Sequence, residues 1–418
     1  MLQQRAIQVI KGHDVSVPLF LFYTSHLLHT PLQVPESYLK KVSQRVADIG
    51  GQPIDSANRR LYAAMTMFLD DTVAEIVKAM KAKDMWDNTL VIFTSDNGGP
   101  IYEPGSANNY PLKGGKYSDW EGGIRTNAFL SGGFIPPHRR GSTHTGVVSI
   151  ADWYGVVSEL AGVPLTDTKA AKANKWLAMH PDLPQLSPVD SVPQWQHILD
   201  GTNGRGDAFY ISDKAVMRYP YKLIVGDQQY SMWTGQLFPN ASTIEGVETR
   251  GPAVPLLDEV HLFGKLLALG LPQEKVDAVM DIEHCGEGKL FNVEEDPTEQ
   301  RDLSEDVKYQ KILVQLKEDL QKFNLHRFTP DRGGPMMESC WAAMRVGGFY
   351  GPFVDIENFY SPVQLTEKQV EDNKQAKKDL DYVEQILLPN RTRQIEWFSG
   401  QVGDLTVLLK GSAFDRPL

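Results

Sequence analysis

Cysteine is nearly absent from this chain: Cys285 and Cys340 are the only two in 418 residues, which excludes a disulfide-rich scaffold and any cysteine-based metal motif. No run of 18 or more apolar residues occurs, so no stretch reads as a membrane span. Positive charge is also short. The formal net charge is −11, which argues against a nucleic-acid partner and leaves room for a local basic pocket. The opening stretch, Met1 to Ile10, has neither the basic start nor the apolar centre of a signal peptide, and reads as part of an amphipathic helix without a cap. Internal repeats are missing. Two glycosylation sequons, at Asn240 and Asn390, are weak pointers to a secretory setting.

What is present is a chain of ordinary apolar content, 41%, long enough for two or three domains. Its organising stretch is Thr89-Leu-Val-Ile-Phe-Thr-Ser-Asp-Asn-Gly-Gly99. Leu90 to Phe93 have the pattern of a strand buried on both faces. Asp96 and Asn97 follow at its carboxyl end, where parallel α/β sheets bind ligands. Their side-chain oxygens suit a hard cation, or a helix cap in the plainer reading. Residues 18–25 read as a second buried strand that ends in a loop with His26 and His29, enforced by Pro31 and Pro35. Between the two strands, residues 58–83 carry a helical stripe of Leu61, Met65, Phe68, Thr72, Ile76 and Met80, expected to cross over the sheet. Asp70 and Asp71 in that helix point in different directions and read as solvated or structural.

A long polar loop follows, from Pro100 to Gly123, with Lys113 and Lys116 among glycines. Each lysine could meet an anionic oxygen, or simply face water. His29 could be a general acid or anion contact, or a loop histidine satisfied by backbone. Residues 125–131 read as a third strand and 147–161 as a helix stopped by Gly162 and Pro164. Residues 166–206 read as irregular connection. Strand candidates at 207–211, 214–218, 221–225 and 288–293, with a helix at 305–324, describe a smaller antiparallel α+β domain over 207–355. Tyr309, Ile312, Leu313, Leu316 and Leu320 would form that helix's inner face. A helix around 256–269 and a tail over 356–418, with a charged helix at 366–388, complete the reading. Taken together, Asp96, Asn97, Lys116 and His29 suit hydrolysis of a sulfate or phosphate ester.

Three segments carry a resemblance: His29-Thr-Pro-Leu-Gln-Val-Pro35, Ser95-Asp-Asn-Gly-Gly99, and Asn109-Tyr-Pro-Leu-Lys-Gly-Gly-Lys116-Tyr-Ser-Asp-Trp-Glu-Gly-Gly123. In order and spacing they resemble the sulfatase family, most closely its arylsulfatase B group. The resemblance continues through Met217–Ile224 and Lys289–Leu303, and covers about residues 5–355.

The resemblance implies an alkaline-phosphatase-like α/β/α sandwich core over residues 1–165, incomplete at its N-terminus, and a small C-terminal antiparallel-sheet domain. It implies Asp96 and Asn97 as ligands of Ca²⁺ (or Mg²⁺), and Lys116 as a sulfate contact. It implies His29 as a sulfate contact or as the acid that protonates the leaving alcohol. The expected substrate is a sulfated sugar or aryl sulfate. A full-length relative is expected in the secretory pathway, lysosomal or extracellular. The family's nucleophile is a formylglycine made from the cysteine of a Cys-x-Pro-Ser-Arg motif. That motif is absent here, because Cys285 precedes Gly-Glu-Gly and Cys340 precedes Trp-Ala-Ala. The family's N-terminal aspartate pair, a second lysine and a second histidine have no counterpart either. The expectation is therefore a sulfuric ester hydrolase lacking its N-terminal catalytic segment and inactive as written. The rivals are a non-catalytic sulfated-glycan binder and a phosphoester hydrolase of the same superfamily.

Overall fold

The computed structural model describes residues 2–102, 106–180, 185–236, 238 and 281–327. The sequence-read features at 241–280 and beyond 327, including both sequons, Cys340 and the charged tail, lie outside them. The described residues belong to one compact unit, residues 1–327.

The chain opens with three helices: α1 (Leu2–Gly12), α2 (Glu36–Asp48) and α3 (Ala57–Ala82). Ser56 caps α3 by accepting the Arg59 amide, satisfying one of the amides a helix start leaves open. The stripe read along α3 is the one that packs: Met65, Thr72 and Met80 are buried, and Ile10 of α1 sits against Ala79 and Met80. Asp71 has the structural role expected of it, accepting hydrogen bonds from Tyr38 (2.7 Å) and Lys41 (2.9 Å) on α2.

Next come β1 (Val91–Thr94), the single-turn α4 (Glu121–Ile124) and β2 (Ala128–Ser131). Three expectations fail here. Residues 18–25 form no strand: among the described residues nothing pairs with the backbone of 18–24, and Phe20 and Phe22 are 73% and 79% exposed. An extended run that is apolar on both sides needs neighbours on both edges and both faces, and the described residues supply none. For the same reason α3 is no βαβ crossover. β1 pairs instead with β2, antiparallel, with Ile92 opposite Leu130 and Phe93 opposite Phe129, and it is half-buried rather than enclosed.

The connection over 166–206 is not irregular throughout. After α5 (Asp152–Ala161), which ends at Gly162 with φ +66°, it forms α6 (Thr168–Leu177), capped by Asp167, and α7 (Trp195–Asp200). Polar composition hid these short helices: α6 buries no residue, and α7 buries only Trp195. Asp152 is fully buried and accepts from the Ser149 and Val192 amides and from Arg205.

The second lobe agrees closely with its sequence pattern. β3 (Phe209–Ser212), β4 (Ala215–Arg218), β5 (Tyr221–Ile224) and β8 (Lys289–Asn292) form one antiparallel sheet in the order β3-β4-β5-β8. A two-stranded ribbon of β6 (Asp227–Gln228) and β7 (Glu283–His284) lies beside it in the chain. Helix α8 (Gln310–His326) lays Leu313, Leu316 and Leu320 on Val216, Leu223 and Leu290, the alternate residues of one sheet face. Each such leucine contributes roughly 1.5–3 kcal/mol of burial. The other face, with Ala215, Met217, Ile224 and Phe291, packs on Trp120 of the first lobe's long loop.

Candidate active site

The loop that bears Lys116 is held by backbone geometry on one side. The Gly98 amide donates to Gly123 O (2.8 Å), and the Lys116 amide donates to Gly99 O (3.1 Å). Asn109 stitches the turn, accepting from the Gly99 amide (3.0 Å) and donating to Gly99 O (2.8 Å) and Gly114 O (3.0 Å). The glycines are required by close approach. A Cβ at Gly98 would lie 1.8 Å from Gly122 O, and one at Gly122 would lie 2.3 Å from Gly114 O.

On the other side the second lobe clamps the loop. Lys113, only 1% exposed, is no surface lysine. Its ammonium lies 3.7 Å from the Trp120 ring centre and 4.2 Å from that of Trp233, and it donates to Glu283. Burial holds the Lys113 ammonium below its usual range, against the pull of Glu283. Deeper in, Lys222 of β5 is fully buried, with Nζ 2.8 Å from Glu121 Oε1 and 2.5 Å from Glu299 Oε1. Glu299 Oε2 accepts the Glu121 amide at 2.7 Å. Two buried carboxylates thus share one ammonium. Burial, with the Glu121 charge beside it, pushes the Glu299 carboxyl up to about 7 despite Lys222. Burial alone would lower Lys222, but the two carboxylates outweigh it and raise it.

Of the four residues read from the sequence, two come together. Lys116 Nζ lies 3.3 Å from His29 Nε2, across 87 positions of chain. His29 Nδ1 lies 2.7 Å from Thr30 O. A carbonyl only accepts, so Nδ1 carries the proton, and Nε2 offers its lone pair to the lysine. Asp96 and Asn97 sit just past β1, on the segment that leads into Gly98 and Gly99. Asp96 Oδ1 accepts the Asn97 amide (2.9 Å), and Asn97 donates to Gly98 O (2.8 Å). No hydrogen bond among the described residues joins this pair to His29 or Lys116.

A Ca²⁺ ion takes six to eight oxygens. Asp96 and Asn97 have three side-chain oxygens, of which Asp96 Oδ1 already accepts the Asn97 amide and two are left for a cation; among the described residues no group of three or more His, Cys, Asp or Glu could hold a metal ion. The described residues therefore fit part of a divalent-cation shell and do not fit a whole one. Cys285 is buried, and burial pushes its thiol up to about 12, so it is no nucleophile.

Sequence reasoning missed Lys222, Glu283, Glu299 and Trp120. Lys222 and Glu299 both lie in segments that carry the family resemblance. A charged residue at an inward position of a strand was the available signal for Lys222.

Residues 2–163 match the protein-family model described as Sulfatase, and that segment belongs to the sulfatase family. Among individual relatives, Arylsulfatase J of Mus musculus is 28% identical over 372 residues, 86% of this chain and 53% of the relative. Human N-acetylgalactosamine-6-sulfatase is 27% identical over 164 residues, 38% of this chain and 28% of the relative. The chain thus spans about half the length of the first of these relatives and less of the other. Among solved structures, Ps i-CgsB in complex with k-i-k-neocarrahexaose aligns with TM-score 0.52 and 21% identity, covering 81% of this chain and 57% of that one. At that identity the likeness concerns fold alone, the alkaline-phosphatase-like α/β architecture. Here it is joined to an antiparallel second lobe.

Proposed function

We propose that this protein hydrolyses sulfate esters of sugars, and that Lys116 and His29 are its contacts to the sulfate group and leaving alcohol. The observation that carries this reading is the 3.3 Å approach of Lys116 Nζ to His29 Nε2. A lysine ammonium is a compact charge suited to a sulfate oxygen. The imidazole beside it keeps Nδ1–H on Thr30 O and turns Nε2 to the Lys116 ammonium; when an arriving sulfate oxygen draws that ammonium away, Nε2 is freed to take a proton from solvent. Once protonated there, His29 donates to a sulfate oxygen or to the departing alkoxide. Asp96 and Asn97 supply two oxygens toward a divalent cation, Ca²⁺ in this reading, which would screen the anion's charge when bound. The remaining ligands and the nucleophile do not come from the described residues. Glycan substrates and a secretory location are part of the proposal. The glycan substrate is supported by the sugar sulfatase named among the relatives. No described helix is long and apolar enough to cross a membrane.

A second reading, sulfate binding without turnover, is favoured by the partial metal shell and by the sequence's lack of a Cys-x-Pro-Ser-Arg motif. One experiment separates the two. The intact chain is titrated with inorganic sulfate and then assayed for sulfate release from N-acetylgalactosamine 6-sulfate, with inorganic phosphate as competitor. Release that is lost in Lys116→Ala and His29→Ala supports hydrolysis. Binding lost in those variants, without release in the wild type, supports the second reading. Absence of sulfate binding defeats both, and a preference for phosphate moves the substrate to phosphoesters.

A further inference from the structure

Tyr117 follows Lys116 directly, and its backbone is unusual: φ is +79°, the left-handed region that an aromatic side chain rarely enters. Such strain persists only where its surroundings compensate, and it gathers at functional sites. The compensation is visible. The Tyr117 ring leans on Tyr102 (centroids 5.6 Å apart) and Tyr230 (6.3 Å), which are 4% and 0% exposed. That buried pair, itself 4.9 Å between centroids, forms a rigid backing.

Yet Tyr117 remains 51% exposed, and its hydroxyl makes no hydrogen bond among the described residues. It stands beside the candidate anion site, with Lys116 Nζ 5.5 Å from its ring centre. An anionic group on Lys116 and His29 would bring whatever carries it alongside this ring.

We infer that Tyr117 is a specificity-determining residue that stacks against the pyranose ring bearing the sulfate, so that the site takes sulfated sugars in preference to bare sulfate or small alkyl sulfates. This rests on the sulfate reading of Lys116 and His29. The negative face of an aromatic ring attracts the weakly positive C–H hydrogens on the apolar face of a sugar. The hydroxyl at its rim can meet a sugar hydroxyl. A ring held upright in advance loses little freedom on binding, so its contact counts more fully toward affinity.

The test uses the intact chain, with inorganic sulfate and N-acetylgalactosamine 6-sulfate as probes in calorimetric titrations. Asparagine tolerates the left-handed backbone, so Tyr117→Asn removes the ring without adding strain. The expected result is inorganic sulfate affinity within about twofold of wild type, and sugar-sulfate affinity reduced by about tenfold. Tyr117→Phe should keep most of the sugar-sulfate affinity, and Tyr117→Asn should keep the melting temperature. If both probes lose affinity together, or if the sugar sulfate loses none, the stacking role is overturned. A wild-type chain that binds neither probe overturns the sulfate reading and this inference with it. A wild type that binds inorganic sulfate, with an indifferent Tyr117→Asn, overturns the stacking role alone.

Discussion

Arg205 grips both oxygens of Asp152, Nε to Oδ2 at 2.7 Å and Nη2 to Oδ1 at 2.6 Å, at a point where the carboxylate has no exposure to water. The same carboxylate accepts two backbone amides, from Ser149 and Val192, so it ties the start of α5 to the segment leading into α7. Removing one partner of a buried pair leaves the other charged and alone. Asp152→Ala should cost about 3–5 kcal/mol of folding stability, read as a shift in the urea midpoint. Arg205→Lys should recover only part of the loss, because an ammonium cannot reproduce the two-point grip.

Glu299 should give the chain a falling stability as pH rises from about 4.5 toward 7. Its folded pKa, about 7, lies well above that of an ordinary glutamate in the unfolded chain, about 4.5. In that window the folded state holds a proton that the unfolded chain has released, so raising the pH favours unfolding. Lys222, whose pKa is raised, keeps its charge throughout and adds no slope there. Urea titrations across this range should show a negative slope in the wild type and a flatter one in Glu299→Gln. An unchanged slope would assign the proton elsewhere.

Cys285 should resist alkylation. With its thiol pushed up to about 12 by burial, the thiolate at pH 8 is about one part in ten thousand, against roughly a quarter for an ordinary cysteine. Iodoacetamide labelling followed by peptide mass spectrometry should find Cys285 unmodified in the native chain and modified in urea. Fast native labelling would contradict the burial.

Phe20 and Phe22 should be dispensable for stability and costly for solubility. Their side chains are 73% and 79% exposed on an extended run whose backbone finds no partner among the described residues. Replacing both by serine should change the melting temperature little, within about 0.5 kcal/mol of stability. The replacement should also suppress concentration-dependent light scattering, since unpaired apolar edges promote association. A large loss of stability would mean that these rings pack on something.

The second lobe was readable because its strands alternate. Val216, Leu223 and Leu290 face α8, Met217 and Phe291 face Trp120, and a period of two reports such one-sided contacts directly. The run at 18–25 misled because its pattern describes the environment the residues suit. A strand exists only where neighbours donate and accept. Helices α6 and α7 escaped notice because neither carries an apolar stripe: α6 buries no residue and α7 only Trp195. At the candidate site, Lys116 and His29 were legible as residue types at the ends of elements, whereas the clamp behind them was not. Lys222 and Glu299 look like ordinary surface charges until the sheet and the segment after β8 bring them together in the interior.

Divisibility is where that clamp matters. Lys113, Trp120 and Glu121 sit in the loop that carries Lys116, and each is completed by a residue at least 100 positions further on: Glu283, Ser231 and Lys222. Expressing the first lobe alone would strand a lysine, an indole N–H and a carboxylate in surfaces built to exclude water. The segment that matches the family is thus not a self-sufficient module. Gene fusions, limited proteolysis or single-lobe fragments cut between the lobes should yield a floppy loop in place of the candidate site, whatever they leave of the helices.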